Sequence, residues 1–237
     1  MTDTPAAAPT VSWPALRALP NRTAGLLLGV FGLLSVANLV ASALDSRAGD
    51  VVTKPLLMPA LAAFVLAASR PAPPTVLPVA GLLFGAAGDA ALLGDGLWFL
   101  VGMGAFALGH VCYLTAFLRS GAGAGLRRRW WIAAGYLVVW AVLVAVIWPG
   151  LDGGLRVPVL GYSLLLTAMA ASAAGTGRMV AAVGGALFLV SDGLLALGLS
   201  DVDFAGRSAA VMPTYLAAQL LIALALLGRA REAGGAE

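Results

Sequence analysis

Eight apolar runs, each close to the ~20 residues that an α-helix needs to cross a bilayer, dominate this sequence. Of 237 residues, 61% are hydrophobic and 11% are charged, with a mean hydropathy of +0.96. A water-soluble domain of this size needs more charge to cover its surface. We therefore predict an all-α integral membrane protein, a bundle of eight transmembrane helices. The predicted spans are 23–44, 53–69, 75–93, 97–118, 130–149, 157–174, 179–199 and 209–228.

The two ends of the chain lie outside these apolar runs. Residues 1–22 begin with a Pro- and Ala-rich stretch that lacks the basic start and cleavage pattern of a secretory signal. We predict a flexible N-terminal tail over 1–22, an eight-span membrane domain over 23–228 and a short C-terminal tail over 229–237.

Basic residues orient the predicted bundle. Ten of the 14 arginines and lysines fall on the side of the two termini, and four fall on the opposite side. Since positive loops stay inside, we predict a plasma membrane protein with both termini in the cytoplasm. The basic residues are spread among short gaps, which favours a topology signal over a nucleic-acid surface. The single cysteine, Cys112, excludes an intrachain disulfide, and no metal site or oligomeric state is indicated.

Two aspartates interrupt the apolar runs. Asp89 lies late in the third predicted span and Asp192 at similar depth in the seventh. They occur in similar phrases, "GLLFGAAGDAALL" and "GALFLVSDGLLAL", which suggests two parallel four-helix repeats. A charged carboxylate at a helix centre costs about 2.5–3.5 kcal/mol on insertion scales, so buried acids in spans are functional by default.

Glycines near both aspartates allow close helix approach, so the two carboxylates are expected to face one cavity. Two carboxylates in a low-dielectric site do not both ionise easily, which leaves one acid and one base at neutral pH. That arrangement suits acid/base hydrolysis through an oxocarbenium ion. The alternative is a structural pairing of the acids with Lys54, an arginine or His110.

Other polar residues accompany the aspartates. His110 and Tyr113 share a face of the fourth span, and Tyr215 and Gln219 share a face of the eighth. The tyrosines and the glutamine are expected to serve mainly in packing and hydrogen bonding. Lys54 is predicted to start the second span, with Pro55 in the first turn, where proline is tolerated. Alternatively, Lys54 is a lysine whose aliphatic stem lies along apolar surface while its ammonium group reaches the membrane interface.

Five short motifs occur in a specific order: "TKPLLMP", "GLLFGAAGDAALL", "FLVGMGAFALGHVCYLTAF", "GALFLVSDGLLA" and "MPTYLAAQLLI". In sequence and spacing they resemble the successive motifs of the YhhN-like lysoplasmalogenase family. The resemblance covers about residues 50 to 222. The first span and the region 119–178 carry no such motif.

The resemblance implies an eight-span hydrolase of the vinyl-ether bond of lysoplasmalogens, which needs no metal or cofactor. Its substrate is a lysophospholipid in the bilayer, and its products are a fatty aldehyde and glycerophosphocholine or glycerophosphoethanolamine. Of Asp89 and Asp192, one would act as the acid and the other as the cation-stabilising base, in an order that the resemblance does not assign. His110 with Tyr113 would orient a carboxyl group or the water. Lys54 would pair with the lipid phosphate or favour the ionised form of an aspartate. The implied substrate-binding residues are Lys54, Tyr113, Ser191, Tyr215 and Gln219.

A second class of function stays open at this point. Intramembrane acids also serve as proton relays, so a membrane transporter or a lipid-binding protein is the alternative.

Overall fold

The computed structural model describes residues 21–69, 75–200 and 202–234, with side chains described as far as residue 228. These ranges form nine α-helices and one 3₁₀ turn, Trp148–Gly150, and contain no β-strand. The helices are α1 (Arg22–Ala43), α2 (Arg47–Ala68), α3 (Val76–Ala91), α4 (Leu97–Arg119), α5 (Ala122–Arg128), α6 (Trp130–Ile147), α7 (Gly153–Gly175), α8 (Met179–Leu199) and α9 (Arg207–Gly234).

The predicted class of an all-α, multi-pass membrane protein is confirmed. Seven stretches, six of them single helices and one formed by α6 with its 3₁₀ turn, are long and apolar enough to cross a bilayer. The exception among the predicted spans is α3, which has 16 residues. At 1.5 Å per residue it rises about 24 Å, less than the ~30 Å of a typical hydrocarbon core.

The predicted start of the second span was wrong. Helix α2 begins at Arg47, because the Ser46 hydroxyl accepts a hydrogen bond from Gly49 N at 3.3 Å and Asp50 stands in the first turn. Lys54 therefore lies about two turns inside the helix, and Pro55 and Pro59 are interior prolines. Residues 47–52, which precede the predicted span, are helical because Ser46 caps them.

The predicted tails lie mostly beyond the described residues. Residues 1–20 of the N-terminal tail fall outside them. Asn21 caps α1 by accepting a hydrogen bond from Ala24 N at 2.7 Å. At the other end, α9 continues to Gly234, so helix replaces most of the predicted C-terminal tail, and 235–237 are not described.

Helix α3 is packed between its neighbours, and this places Asp89 in the interior. Gly81 lies against the Tyr113 ring of α4, and the carbonyl of Gly81 faces Gly109. Gly85 faces Tyr215 and Gln219 of α9, where a Cβ would lie 3.3 and 3.2 Å from their polar atoms. Such close approach between small residues is how helices associate in lipid. In contrast, α6 lies at the edge of the bundle, with Leu137, Val138 and Val142 exposed.

Candidate active site

Asp89 of α3 and Asp192 of α8 line one cavity of about 560 Å³. Asp89 is 6% exposed, and the Asp192 side chain is 17% exposed. Most of the wall is apolar and comes from helices α4, α6, α7 and α8. The larger apolar side chains in this wall are Phe99, Met103, Phe106, Trp140, Leu143, Ile147, Val159, Leu166 and Leu189.

A chain of three hydrogen bonds ends at Asp89. The Tyr215 hydroxyl donates to Asp89 Oδ2 at 2.9 Å, and Gln219 Nε2 donates to the Tyr215 oxygen at 3.2 Å. The Tyr113 hydroxyl in turn donates to Gln219 Oε1 at 2.7 Å. Tyr215 lines the cavity, whereas Tyr113 and Gln219 lie behind it. The predicted orienting role of Tyr113 is therefore possible only through Gln219 and Tyr215.

A second group surrounds Asp192. The Tyr162 hydroxyl donates to Asp192 Oδ2, and His110 Nε2 lies 3.1 Å from the Tyr162 oxygen and 4.0 Å from Asp192 Oδ2. Because Tyr162 has one hydroxyl hydrogen, which points to Asp192, His110 donates to the Tyr162 oxygen through Nε2. His110 is 1% exposed, and its Nδ1 has no hydrogen-bond partner among the described residues.

His110 and Tyr113 are thus neighbours on α4 that serve different aspartates. The His110 ring lies 4.7 Å from that of Phe188 on α8, centroid to centroid, while Tyr113 points to α9. Neither residue lines the cavity. Both lie in the layer behind it and reach the carboxylates through a tyrosine.

Tyr162 is the residue that the sequence analysis missed. It lies on α7, in the region 119–178 that carries no recognised motif, and it lines the cavity. It is one of only four tyrosines in the chain, and two of the others, Tyr113 and Tyr215, drew attention through their motifs. The sequence did offer one signal for Tyr162, its position in the middle of a span. A tyrosine hydroxyl that is buried there needs a hydrogen-bond partner.

The remaining predicted site residues are Lys54 and Ser191, and both line the cavity. Lys54 Nζ pairs with Asp50 Oδ2 at 3.0 Å, and the other oxygen of Asp50 accepts from Asn38 Nδ2 at 3.0 Å. The Ser191 hydroxyl donates to the Val211 carbonyl at 3.0 Å and so ties α8 to α9.

A polar cavity of about 360 Å³ adjoins the first. We call it the vestibule. The two cavities share Ser42, Lys54, Leu92 and Leu93 in their walls, so they adjoin at Lys54. The charged residues of the vestibule are Asp45, Arg47, Asp50, Lys54 and Asp95.

Comparison with known proteins agrees with the motifs. Residues 49–226, three quarters of the chain, match the YhhN family and include both aspartates and every residue of the two hydrogen-bonded groups. The chain belongs to the YhhN family. Among the relatives of this chain, human lysoplasmalogenase TMEM86B is 34% identical over 168 residues, which are 70% of each chain. The lysoplasmalogenases of Mycobacterium bovis and Mycobacterium tuberculosis are each 32% identical over 151 residues. These cover 61% of this chain and 58% of each relative. The comparison with solved structures gave no match.

Proposed function

We propose that this protein is a lysoplasmalogenase that hydrolyses the vinyl-ether bond of lysoplasmalogens within the bilayer. The products are a fatty aldehyde and glycerophosphocholine or glycerophosphoethanolamine. The observation that carries the proposal is a pair of carboxylates, the buried Asp89 and the largely buried Asp192, in one mostly apolar cavity. The family membership and the names of the relatives support the same enzyme class.

The chemistry needs one protonated and one ionised carboxyl group. The acid donates its proton to the β-carbon of the vinyl ether, which leaves an oxocarbenium ion at the α-carbon. The ionised carboxylate stabilises this cation and then accepts a proton from the water that attacks it. As the resulting hemiacetal collapses, the second carboxyl group, now protonated, gives its proton to the departing glycerol oxygen, and the first carboxylate takes the proton of the hemiacetal hydroxyl. The aldehyde and the glycerol hydroxyl are released, one water is consumed, and both carboxyl groups return to their starting protonation states.

Each carboxylate in this scheme has its own positioning group. Tyr215, supported by Gln219 and Tyr113, holds Asp89, and Tyr162, supported by His110, holds Asp192. Preorganised hydrogen bonds of this kind keep the reacting atoms in place. Either aspartate fits the role of the acid. Ser191 contributes by fixing α8, which carries Asp192, against α9.

The lining of the cavity orients the lipid. A volume of about 560 Å³ lies in the ~300–1,000 Å³ range of small-molecule sites. The alkenyl chain lies against Trp140 and Leu143 of α6, the helix at the lipid-facing edge of the bundle, and the phosphate lies towards Lys54. A lysolipid with a single chain enters sideways from the bilayer past α6.

The membrane topology belongs to the same proposal. Arg47 Nη2 at the start of α2 is 3.5 Å from the Leu93 carbonyl, just after α3. The N-terminal end of α2 and the C-terminal end of α3 therefore lie on one side, so α3 returns across the bundle despite its length. In the proposed topology, eight crossings leave both termini on one side, and the excess of basic residues there favours the cytoplasm. Asp89 and Asp192 would then occupy equivalent third helices of two parallel repeats.

The test is aldehyde release by the purified protein in nanodiscs. Alkenyl-glycerophosphocholine should yield equal amounts of fatty aldehyde and glycerophosphocholine, and Asp89→Asn protein should yield neither. Translocation of the intact lipid in liposomes, without aldehyde, would contradict the proposal and favour a transporter.

A further inference from the structure

One basic residue in the wall of the aspartate cavity has no role in the reaction described above. Among the described residues of this wall, Lys54 and Arg207 are the two that are basic. Lys54 lies 3.0 Å from Asp50, so those two charges largely compensate each other. Arg207, at the start of α9, pairs with Asp203 at 2.8 Å, but the Asp203 side chain is 74% exposed. Ion pairs with so exposed a partner contribute little, so the charge of Arg207 stays available to a ligand.

The Arg207 guanidinium is held in a defined position over the end of α8. Its Nη1 donates a hydrogen bond to the Leu194 carbonyl at 3.0 Å, and its Nε donates to Asp203. It lies directly on Gly198, where a Cβ would be only 2.7 Å from Cζ and 2.8 Å from Nη2. A guanidinium has five N–H donors, and these two bonds leave three of them without a partner among the described residues. The group is therefore fixed in place and still able to donate.

This position matches the distance between the phosphate and the vinyl ether in a lysoplasmalogen. Gly198 follows Asp192 by six residues on α8, which is about 9 Å along the helix axis. In the lipid, six bonds separate the phosphorus from the first carbon of the vinyl ether, or about 7 Å when they are extended. A phosphate at the Arg207 guanidinium therefore leaves the vinyl ether close to the level of Asp192.

We propose that Arg207 binds the phosphate of the lysolipid and thereby places the vinyl ether beside the aspartate pair. The proposal rests on the proposed function for the identity of the lipid. A planar guanidinium binds two phosphate oxygens with parallel N–H···O bonds, and prior fixation reduces the ordering that binding requires. Lys54 adds a weaker attraction, because Asp50 already compensates its charge.

The competing role for Arg207 is structural, since its hydrogen bonds also tie the start of α9 to α8. If that were its role, removing Asp203 would disturb the protein much as removing Arg207 does. Phosphate binding predicts the opposite result for Asp203. Its carboxylate competes with the phosphate for the guanidinium, so Asp203→Asn should not weaken the binding of a phosphate ligand.

The experiment measures equilibrium binding to the full-length protein in nanodiscs. Both ligands have a saturated ether chain, so no turnover is needed. One is an alkyl-glycerophosphocholine, and the other is the alkylglycerol that lacks the phosphate and the headgroup.

Two variants change the guanidinium in different ways. Arg207→Gln removes the charge, whereas Gly198→Ala keeps the charge and displaces the group. The added methyl meets the far end of a flexible side chain, so the helix tolerates it. The controls are Asp203→Asn and Gly104→Ala, where a Cβ meets nothing within 4 Å.

Arg207→Gln should weaken binding of the phosphocholine lipid about ten-fold, as expected for hydrogen bonds to a charged group, and should leave binding of the alkylglycerol unchanged. Gly198→Ala should weaken binding of the phosphocholine lipid about three-fold, since the donors are moved and not lost. Asp203→Asn and Gly104→Ala should bind that lipid at least as tightly as the wild type does. Equal losses for both ligands in Arg207→Gln, no loss for either, or a loss in Asp203→Asn as large as that in Arg207→Gln would overturn the phosphate site.

Turnover of the vinyl-ether phosphocholine lipid tests the proposed function separately. Arg207→Gln should raise KM about ten-fold with a smaller effect on kcat, because the phosphate contact is the same before and during the reaction. Absence of aldehyde from the wild-type protein would contradict the proposed function, while the binding results would still decide whether Arg207 holds a phosphate.

Discussion

The Tyr162 hydroxyl of α7 donates a hydrogen bond to Asp192 of α8, and its oxygen accepts one from His110 of α4. One phenol thus joins three helices at one of the two proposed catalytic carboxylates. Replacing Tyr162 with Phe keeps the ring and removes only the hydroxyl. We expect kcat to fall about ten- to a hundred-fold, as for misplaced catalytic groups, with little change in KM.

The matched control for Tyr162→Phe is Tyr136→Phe, because Tyr136 is a half-buried tyrosine of α6 outside the cavity. It should keep the wild-type kcat. Equal kcat values for the two variants would mean that Tyr162 does not position Asp192.

Replacing either aspartate with asparagine should abolish most of the activity. Asp89→Asn and Asp192→Asn keep the volume and remove the charge, so insertion into the bilayer should be retained. An amide neither donates a proton at the needed acidity nor stabilises an oxocarbenium ion. Each variant should lose about 10²- to 10⁴-fold in turnover, measured as aldehyde release. Because the two groups act together, the double variant should be little worse than the worse single one. A folded Asp89→Asn protein with near-full activity would mean that Asp89 has a structural role and not a catalytic one.

Adding one methyl group at Gly85 should disturb Asp89 without touching it. A Cβ there would lie 3.2 Å from Gln219 Nε2 and 3.3 Å from the Tyr215 hydroxyl, so both groups must move by a few tenths of an ångström. Gly85→Ala should lower kcat about ten-fold through the displaced Tyr215. Alanine favours the helix by about 1 kcal/mol over glycine, so the thermal stability of the protein should not fall greatly. Gly104→Ala, where a Cβ meets nothing within 4 Å, is the control and should be silent.

Substrate analogues test whether protonation of the alkene is the chemical step. A lysolipid with a saturated ether has no double bond to protonate, so it should compete with the substrate and yield no product. An ester lysolipid requires a nucleophile or an oxyanion site instead. The ratio of aldehyde release to fatty-acid release, measured on one preparation, should strongly favour the vinyl ether. Similar rates on both substrates would contradict the acid-catalysed mechanism.

The topology is checked with reporter fusions. A fusion at residue 237 and one in the loop 202–206, between α8 and α9, should report opposite sides of the membrane, with residue 237 cytoplasmic. A third fusion after α2 near residue 70 and a fourth near residue 94 test α3 directly. If those two give the same signal, α3 does not cross, and the eight-span proposal fails.

The sequence reveals some parts of the site because they violate a rule of composition. Asp89 and Asp192 are conspicuous because a carboxylate in an apolar run costs free energy on membrane insertion, so its presence suggests a function. Tyr162 is not conspicuous, because it lies in no recognised motif and its partners are 30 and 52 residues away in sequence. Finding it requires knowing that α7 packs between α4 and α8.

Some helix boundaries could be predicted from the sequence and others could not. Apolar runs predict the long helices well, since the bilayer dictates their length. The start of α2 was missed because its first turn contains the charged residues Arg47 and Asp50 and is helical owing to the Ser46 cap and not to hydropathy. That error matters for the site, because it moves Lys54 from a helix end into a rigid turn beside Asp50 and Asn38.

The shortness of α3 affects the supply of water to the reaction. Asp89 is two residues from the end of a helix that is several ångströms shorter than the hydrocarbon layer. Lipids adapt to such a short segment by thinning, which draws the aqueous boundary towards the protein. A hydrolase of a lipid bond must bring water to a place that excludes it. If α3 crosses the bilayer as proposed, we expect the membrane surface to lie closer to Asp89 and so to supply that water.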